Sequence, residues 1–253
     1  MHDNGITRRR FGALAGGALA SVALGGCNVA LPAATEDGRI KARPVAGVKT
    51  TAQGTSTLGL GAQRDAVLQM PSRPATGPVP LLVLLHGAGG SGDRMLRRLS
   101  AVGDAAGVAL LAPDSRGSTW DAIRGEFDED VVFLNQALEK VFQTVAVDPA
   151  RLAIGGFSDG ASYAVSLGLV NGDLFPRVVA FSPGFFVDAT AYGKPKFFVS
   201  HGTNDSILPI NRCGRLVVQR LRSRLYDVVF REFNGEHEIP PDVATEGMSW
   251  VAK

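Results

Sequence analysis

The sequence predicts an α/β protein in which a mostly parallel central sheet carries helices on both faces. Short apolar, β-prone runs alternate with longer helix-like stretches from about residue 80 to residue 251. Such alternation is typical of parallel strands joined by crossover helices, which bury both faces of the sheet. No stretch between these elements is long enough for a large helical cap domain. We therefore expect a comparatively open site.

The individual elements follow from the spacing of apolar residues. Alternating apolar positions over 57–70 predict an antiparallel hairpin that opens the sheet. Continuous apolar runs predict the strands 80–85, 108–112, 151–155, 178–182, 196–200 and 227–233. The stretches between and after them predict helices over 92–106, 127–144, 160–170, 211–225 and 241–251.

The first 26 residues have the pattern of a signal peptide. Arg8–Arg10 precede an uncharged stretch over 11–26, which is shorter than the about 20 apolar residues of a membrane-spanning helix. This part resembles a twin-arginine export signal, and residues 24–27 resemble a bacterial lipobox, in which the cysteine receives the lipid. We expect export to the periplasm or cell surface with Cys27 as the site of lipid attachment. Cleavage a few residues later, which gives a soluble exported protein, is the alternative.

Composition indicates one exported globular domain. Residues 27–54 have no clear period, so we expect a flexible tether there. We expect residues 55–253 to form a single globular domain. The formal net charge of +2 equals that of residues 1–26, so the rest of the chain is neutral overall and offers no basic patch for nucleic acid. If Cys27 carries lipid, Cys213 has no other cysteine in the chain to pair with.

The motif G-x-S-x-G occupies residues 156–160, where a predicted strand meets a predicted helix. A serine hydroxyl is a poor nucleophile near neutral pH, so it has to be presented on a sharp turn beside a base. Ser158 is therefore the candidate nucleophile. Its alternative role is that of a helix N-cap.

Two more polar residues follow predicted strands in the order Ser, Asp, His. Asp205 lies just after the strand 196–200, and His237 lies just after the strand 227–233. In this arrangement His237 takes the proton of Ser158 and Asp205 orients the imidazole. A helix cap is the alternative role of Asp205, and a solvated loop position is that of His237. The residues that compete for the role of the acid are Asp188, Asp227 and Asp242.

Residues 86–90, of which the last four are small, follow the first predicted parallel strand and resemble the HG motif of esterases and lipases. They let backbone N–H groups approach a substrate oxygen. We expect an oxyanion hole made by the N–H of Asp159 and that of Ala88 or Gly89. His86 and His201 each end a strand before a glycine, so we expect them to order loops. The histidines are too widely spaced for a metal site, and no cofactor is expected.

These motifs together resemble the α/β-hydrolase superfamily, and within it the phospholipase/carboxylesterase branch with its feruloyl-esterase-like and polyhydroxybutyrate-depolymerase-like members. The resemblance covers roughly residues 81–251 and rests on HGAGG, PDSRGSTWD, GFSDG, HGTND and GEHEIP. It implies the α/β-hydrolase fold and ester hydrolysis through an acyl-enzyme on a Ser-Asp-His triad. Asp159 stands where thioesterase-like members carry Gln, so a carboxylesterase of small or aromatic esters is favoured.

Other functions stay open at this stage. A depolymerase of polyhydroxyalkanoate or another polyester is the second enzymatic reading, and a peptidase is the third. A non-catalytic, surface-anchored binding module on the same fold is the alternative outside the enzymes, because a fold does not establish a function. The partner is accordingly a small-molecule or polymeric ester.

Trp120 is the candidate for substrate binding that the resemblance suggests. It follows the predicted strand 108–112, and ligands of open α/β sheets collect at the carboxyl ends of strands. Its alternative is packing in the core. Phe185 and Phe186 are two more candidates for pocket walls, for which core packing is favoured.

Overall fold

The computed structural model describes residues 38–61, 63–73 and 76–253 of the chain. Their strands form one sheet in the order β1-β2-β4-β3-β5-β6-β7-β8. The strands are β1 (Thr55–Thr57), β2 (Ala66–Gln69), β3 (Val79–Leu85), β4 (Ala109–Pro113), β5 (Val147–Phe157), β6 (Arg177–Phe181), β7 (Lys196–Gly202) and β8 (Val228–Phe233). The helices are α1 (Gly92–Ala106), α2 (Asp121–Arg124), α3 (Glu129–Thr144), α4 (Asp159–Val170), α5 (Gly214–Ser223) and α6 (Pro241–Ala252).

The sheet is antiparallel at one edge and parallel elsewhere. β1 pairs antiparallel with β2, and β2 pairs antiparallel with β4. From β4 across to β8, every neighbouring pair is parallel. The predicted α/β class, the opening hairpin and the mostly parallel sheet are confirmed. The carboxyl ends of β3 to β8 therefore meet at one edge of the sheet.

The apolar runs bury both faces of the sheet, which is why they form parallel strands. All seven residues of β3 are buried. Leu81, Val83 and Leu85 pack on one face with α3, α4 and α5, whereas Leu82 and Leu84 pack on the other with α1 and α6. Successive side chains of a strand point to opposite faces, so a continuous apolar run fills two cores.

Most boundaries lie within three residues of the prediction, and the two larger differences are the start of β5 and an additional short helix. β5 begins at Val147, four residues before the predicted start, because the partly exposed residues 148–151 extend it at the margin of the sheet. The predicted helix 127–144 is α3, and the short α2 before it was not predicted. Four residues are too few to show a helical period.

The flexible tether predicted over 27–54 is wrong for residues 38–54, which pack against the domain. Ile40 and Ala42 are buried. The N–H of Ile40 donates to Oδ1 of Asn171 (2.8 Å), and that of Ala42 donates to Oδ1 of Asn135 (2.9 Å). The side-chain amides of Asn171 and Asn135 thus accept hydrogen bonds that the backbone of a partner strand would accept in a sheet. Nothing in the local sequence of this segment predicts these contacts.

The rest of the predicted tether, 27–37, lies outside the described residues. So do the predicted signal peptide and Cys27. Within the part of the chain that is described, no helix has both the length and the apolar composition to cross a bilayer.

Candidate active site

Ser158 lies on the sharp turn between β5 and α4. Its backbone has φ 58° and ψ −122°, in a region that residues other than glycine rarely adopt. Such backbone strain persists only where the surrounding structure imposes it. The turn places the side chain of Ser158 at the edge of the sheet where the parallel strands end.

The two glycines of the G-x-S-x-G motif make this turn possible. A Cβ on Gly156 would lie 2.6 Å from the carbonyl oxygen of Leu85 and 2.6 Å from the carbonyl carbon of Gly160. A Cβ on Gly160 would collide with the same carbonyl of Leu85. Glycine at both positions lets the start of α4 pack directly against the end of β3, so the spacing of the motif has a steric cause.

The structure brings the three sequence-predicted residues together. Nε2 of His237 lies 2.9 Å from Oγ of Ser158, and Nδ1 of His237 lies 2.7 Å from Oδ2 of Asp205. A carboxylate only accepts hydrogen bonds, so Nδ1 carries the proton in the neutral ring and Nε2 presents its lone pair. This arrangement lets the Ser158 hydroxyl donate to His237. The imidazole is thus positioned to take the serine proton.

Asp205 is almost completely buried, at 4% exposure, and its carboxylate is held on both oxygens. Oδ1 accepts the N–H groups of Ile207 (3.0 Å) and Leu208 (2.7 Å). Oδ2 faces His237 and also lies 3.2 Å from Nε2 of the buried His201. The hydrogen bonds from Ile207, Leu208 and His237 satisfy an ionised carboxylate that would otherwise be costly to bury.

Backbone hydrogen bonds join the acid loop to the histidine loop. The N–H of Thr203 donates to the carbonyl of Phe233 (2.9 Å), and the N–H of Asn204 donates to the carbonyl of Gly235 (3.0 Å). They continue the pairing of β7 with β8 past the ends of both strands. The separation of Asp205 from His237 is therefore set by the sheet.

Of the predicted oxyanion donors, two have free N–H groups and one does not. The N–H of Gly89 donates to the carbonyl of Ser118 (2.7 Å), so it does not point to a substrate and its assignment is wrong. No hydrogen bond engages the N–H of Ala88 or Asp159 within the described residues. A Cβ on Gly87 would lie 3.3 Å from Cβ of Ser158, so this loop passes beside the serine.

His86 orders the same loop, in agreement with the prediction. Its Nε2 accepts the N–H of Ser115 (3.0 Å), and its Nδ1–H donates to the carbonyl of Gly87 (2.7 Å). Burial lowers the pKa of His86, which favours this neutral form. A neutral ring with one donor and one acceptor links the loop after β3 to the loop after β4.

The assignment of Trp120 to the substrate pocket is wrong. Its side chain has 0% exposure, its indole N–H donates to the carbonyl of His86 (2.8 Å), and its ring stacks on Tyr163 at 5.2 Å. A large aromatic side chain gains more from complete burial than from a place in an open site. Phe186 is also buried, whereas Phe185 is 42% exposed.

Sequence reasoning missed residues that hold the nucleophile turn. The hydroxyl of Thr119 donates to Oδ2 of Asp159 (2.7 Å), which ties the loop after β4 to the start of α4. Ser162 donates to the carbonyl of Ser158 (3.2 Å) and accepts the N–H of Gly184 (2.9 Å). Ser162 follows Ser158 by one helical turn, which is the only sequence signal for it.

Cys213 lies buried at the start of α5 and is a free cysteine. Burial raises the pKa of its thiol, which favours the protonated form and low reactivity. Within the described residues, no group of His, Cys, Asp and Glu side chains is arranged to hold a metal ion.

Comparisons with known proteins agree with this architecture. The family model described as phospholipase/carboxylesterase matches residues 122–250. NocK of Nocardia uniformis subsp. tsuyamanensis, which is named as an esterase, is 31% identical over 153 residues, covering 56% of this chain and 43% of NocK. Feruloyl esterase C of Emericella nidulans is 27% identical over 186 residues, covering 65% of this chain and 68% of that enzyme. The chain thus spans less than half the length of NocK.

A solved structure gives the same fold. The S-formylglutathione hydrolase FrmB of Staphylococcus aureus superposes with a TM-score of 0.63 over 80% of this chain and 99% of that chain. The two sequences are 14% identical, so the likeness concerns the fold alone.

Proposed function

The chain belongs to the phospholipase/carboxylesterase family, and we propose that it hydrolyses carboxylic esters through an acyl-enzyme intermediate on Ser158. The observation that carries this proposal is the unbroken hydrogen-bonded line from Ser158 through His237 to Asp205. A nucleophile, a base and a group that orients the base are the parts that acyl transfer requires.

In the acylation step Oγ of Ser158 attacks the ester carbonyl carbon while Nε2 of His237 takes the hydroxyl proton. The carbonyl oxygen becomes negatively charged and accepts the N–H groups of Ala88 and Asp159. The carbon–oxygen bond to the alcohol then breaks, and His237 gives its proton to the departing oxygen. Asp205 stabilises the imidazolium that forms between these two transfers.

Water completes the reaction by the same route. It attacks the acyl carbon, gives a proton to His237, and the bond to Oγ of Ser158 breaks as that proton returns to the serine. The donors of the oxyanion hole are backbone groups fixed by the fold. They do not have to reorganise as the charge develops, which is the main source of their effect.

Exposed apolar residues on the loops after β6 and β7 favour an ester with an apolar or aromatic acid. Ile207 is 67% exposed and its own N–H holds Asp205. Phe185 is exposed next to Gly184, and a Cβ on Gly184 would lie 3.5 Å from the side chain of Leu208. The name of the relative feruloyl esterase C agrees with this class. A polyester depolymerase is the second candidate, since exposed apolar side chains such as Phe185 and Ile207 can also contact a polymer chain.

Labelling with a fluorophosphonate tests the proposal. The wild type should be labelled stoichiometrically, and Ser158→Ala should lose both the label and about 10⁶ in kcat, the scale for serines of this kind. Ser249→Ala, on the exposed surface of α6, is the matched control and should behave as the wild type. A folded Ser158→Ala variant that keeps more than about a tenth of the activity would refute the mechanism. An unlabelled wild type would favour the binding module.

A substrate panel separates the two enzymatic candidates. p-Nitrophenyl esters of rising chain length, methyl esters of aryl acids and a polyester film cover them. Higher kcat/KM on dissolved aryl or short-chain esters than on the film supports the carboxylesterase. Release of soluble products from the film, with weak activity on the small esters, supports the depolymerase.

A further inference from the structure

The carboxylate of Asp205 lies against two histidines, one that is hydrogen-bonded to it and one that is an electrostatic neighbour. Oδ2 lies 2.7 Å from Nδ1 of His237 and 3.2 Å from Nε2 of His201. His201 is the last but one residue of β7, and its side chain is fully buried. The proposed mechanism uses His237 and leaves the second histidine without a role.

The neighbours of His201 determine which of its ring nitrogens carries the hydrogen. Nε2 lies 2.7 Å from the carbonyl oxygen of Leu208. A carbonyl only accepts, so Nε2 carries the hydrogen and donates it to Leu208. The same polarised N–H lies beside Oδ2 of Asp205, with Nε2 3.2 Å from that oxygen. Nδ1 is buried and has no partner among the described residues. It packs against Gly214, where a Cβ would lie 2.5 Å away.

This environment favours the neutral ring. Protonation of Nδ1 would create a buried N–H without an acceptor, which is a costly state. Burial accordingly lowers the pKa of His201. His201 therefore acts as a hydrogen-bond donor of fixed direction over the pH range in which a triad works.

We propose that His201 is a positioning residue that takes part of the charge of Asp205 and so sets how strongly Asp205 stabilises the protonated form of His237. The role depends on the proposed function, because it acts only through the triad. Oδ1 stays fixed by the N–H groups of Ile207 and Leu208. Loss of the His201 N–H dipole 3.2 Å from Oδ2 would then leave Asp205 in place with less of its negative charge offset, so His237 would experience more of it.

Other charged groups near this pair have their own partners or are exposed. Glu232 interacts electrostatically with His201, but its Oε1 accepts a hydrogen bond from Nε of Arg215 (2.8 Å). The buried thiol of Cys213 has a raised pKa and is neutral. Glu236 and Glu238, the chain neighbours of His237, are exposed to solvent. These groups are identical in each variant below, so differences between the variants report His201.

The test compares the pH dependence of kcat/KM for the wild type, His201→Leu and His201→Gln. Leu fills the space without a donor, whereas the amide N–H of Gln replaces that of Nε2. In His201→Leu we expect the acid limb of the pH profile to move to higher pH by at least about 0.5 unit. At a pH below the midpoint, kcat/KM, expressed as a fraction of its plateau value, is then about threefold lower in the variant than in the wild type. In His201→Gln the limb should stay within about 0.2 unit of the wild type. An unmoved limb in a folded His201→Leu variant, or a limb moved to lower pH, would overturn the proposal.

Imidazole ¹⁵N chemical shifts of the wild type provide a second test, which does not depend on the folding of any variant. With ¹⁵N-labelled histidine, His201 should stay neutral with the proton on Nε2 over the pH range in which kcat/KM is at its plateau. Titration of His201 in that range, or a proton on Nδ1, would overturn its role. Fluorophosphonate labelling of Ser158 is independent of both results, so failure here is distinct from failure of the proposed function.

Discussion

Nε2 of His237 lies 2.9 Å from Oγ of Ser158, although 79 positions separate the two residues in the chain. Ser158 follows β5 in the middle of the sheet, and His237 follows the edge strand β8. Parallel strands end at the same edge, so residues on distant loops converge there. The parallel topology is thus the cause of the contact.

The first prediction concerns the acid of this site. Asp205→Asn should fold but lose about 10⁴ in kcat, because an amide in place of the carboxylate favours the wrong imidazole tautomer. The wild-type kcat/KM should fall toward acid, since a protonated His237 cannot take the serine proton. Steady-state kinetics on a soluble ester, with circular dichroism to verify folding, measure both effects.

Asp242→Asn is the matched control. Asp242 is also an aspartate late in the chain, but it lies exposed at the start of α6 and pairs with Arg231. Its variant should keep wild-type kcat. Equal losses in the two variants would show that Asp205 is not the acid of this site.

The sequence predicts the elements with uninterrupted apolar runs, because one run determines burial on both faces of a strand. It also predicts Ser158, Asp205 and His237 as a group, because each follows a strand and the strands are parallel. It fails where a distant contact decides the outcome. The carbonyl of Ser118 engages the N–H of Gly89, and the ring of Tyr163 covers Trp120. Neither partner can be identified from local spacing.

The second prediction concerns the packed segment 38–54. Asn171→Ala should lower the free energy of unfolding by about 1–3 kcal/mol, because it leaves the N–H of Ile40 and the carbonyl of Gly38 buried without partners. Denaturant unfolding followed by circular dichroism measures the change. Asn211→Ala, at an exposed position before α5, is the control and should cost less than about 0.5 kcal/mol. Similar stabilities of the two variants would mean that the segment does not dock.

The third prediction concerns membrane attachment, and the pattern at residues 24–27 supports it. We propose that Cys27 carries a lipid after export through a twin-arginine signal. In a bacterial host, the full-length protein should partition into the membrane fraction with the mass of a lipid on its mature N-terminus. Cys27→Ser should abolish that mass and release the protein to the soluble fraction. Cys213→Ser is the control cysteine and should leave partitioning unchanged. Equal solubility of the wild type and Cys27→Ser would refute the anchor.

The fourth prediction concerns the exposed apolar rim formed by Phe185 and Ile207. Both side chains are exposed on loops that follow parallel strands, and we propose that they contact the acyl group of the substrate. Lost contact with one large side chain costs about 1–2 kcal/mol. Phe185→Ala and Ile207→Ala should therefore lower kcat/KM for butyrate or aryl-acid esters about fivefold to thirtyfold. For acetate esters, whose acyl group offers little apolar surface to contact, the change should be smaller than about twofold.

Val45→Ala removes a similar exposed apolar side chain from the segment that packs near the end of α3, away from the triad. It should leave the ratio of butyrate to acetate activity at the wild-type value. If all three variants kept that ratio, the rim would have no part in selecting the acyl group. Because the rim is open, the wild type should also saturate with dissolved short esters below their solubility limit. A rate that rises abruptly only where ester aggregates form would mean that a segment covers the rim in solution and moves aside at an interface.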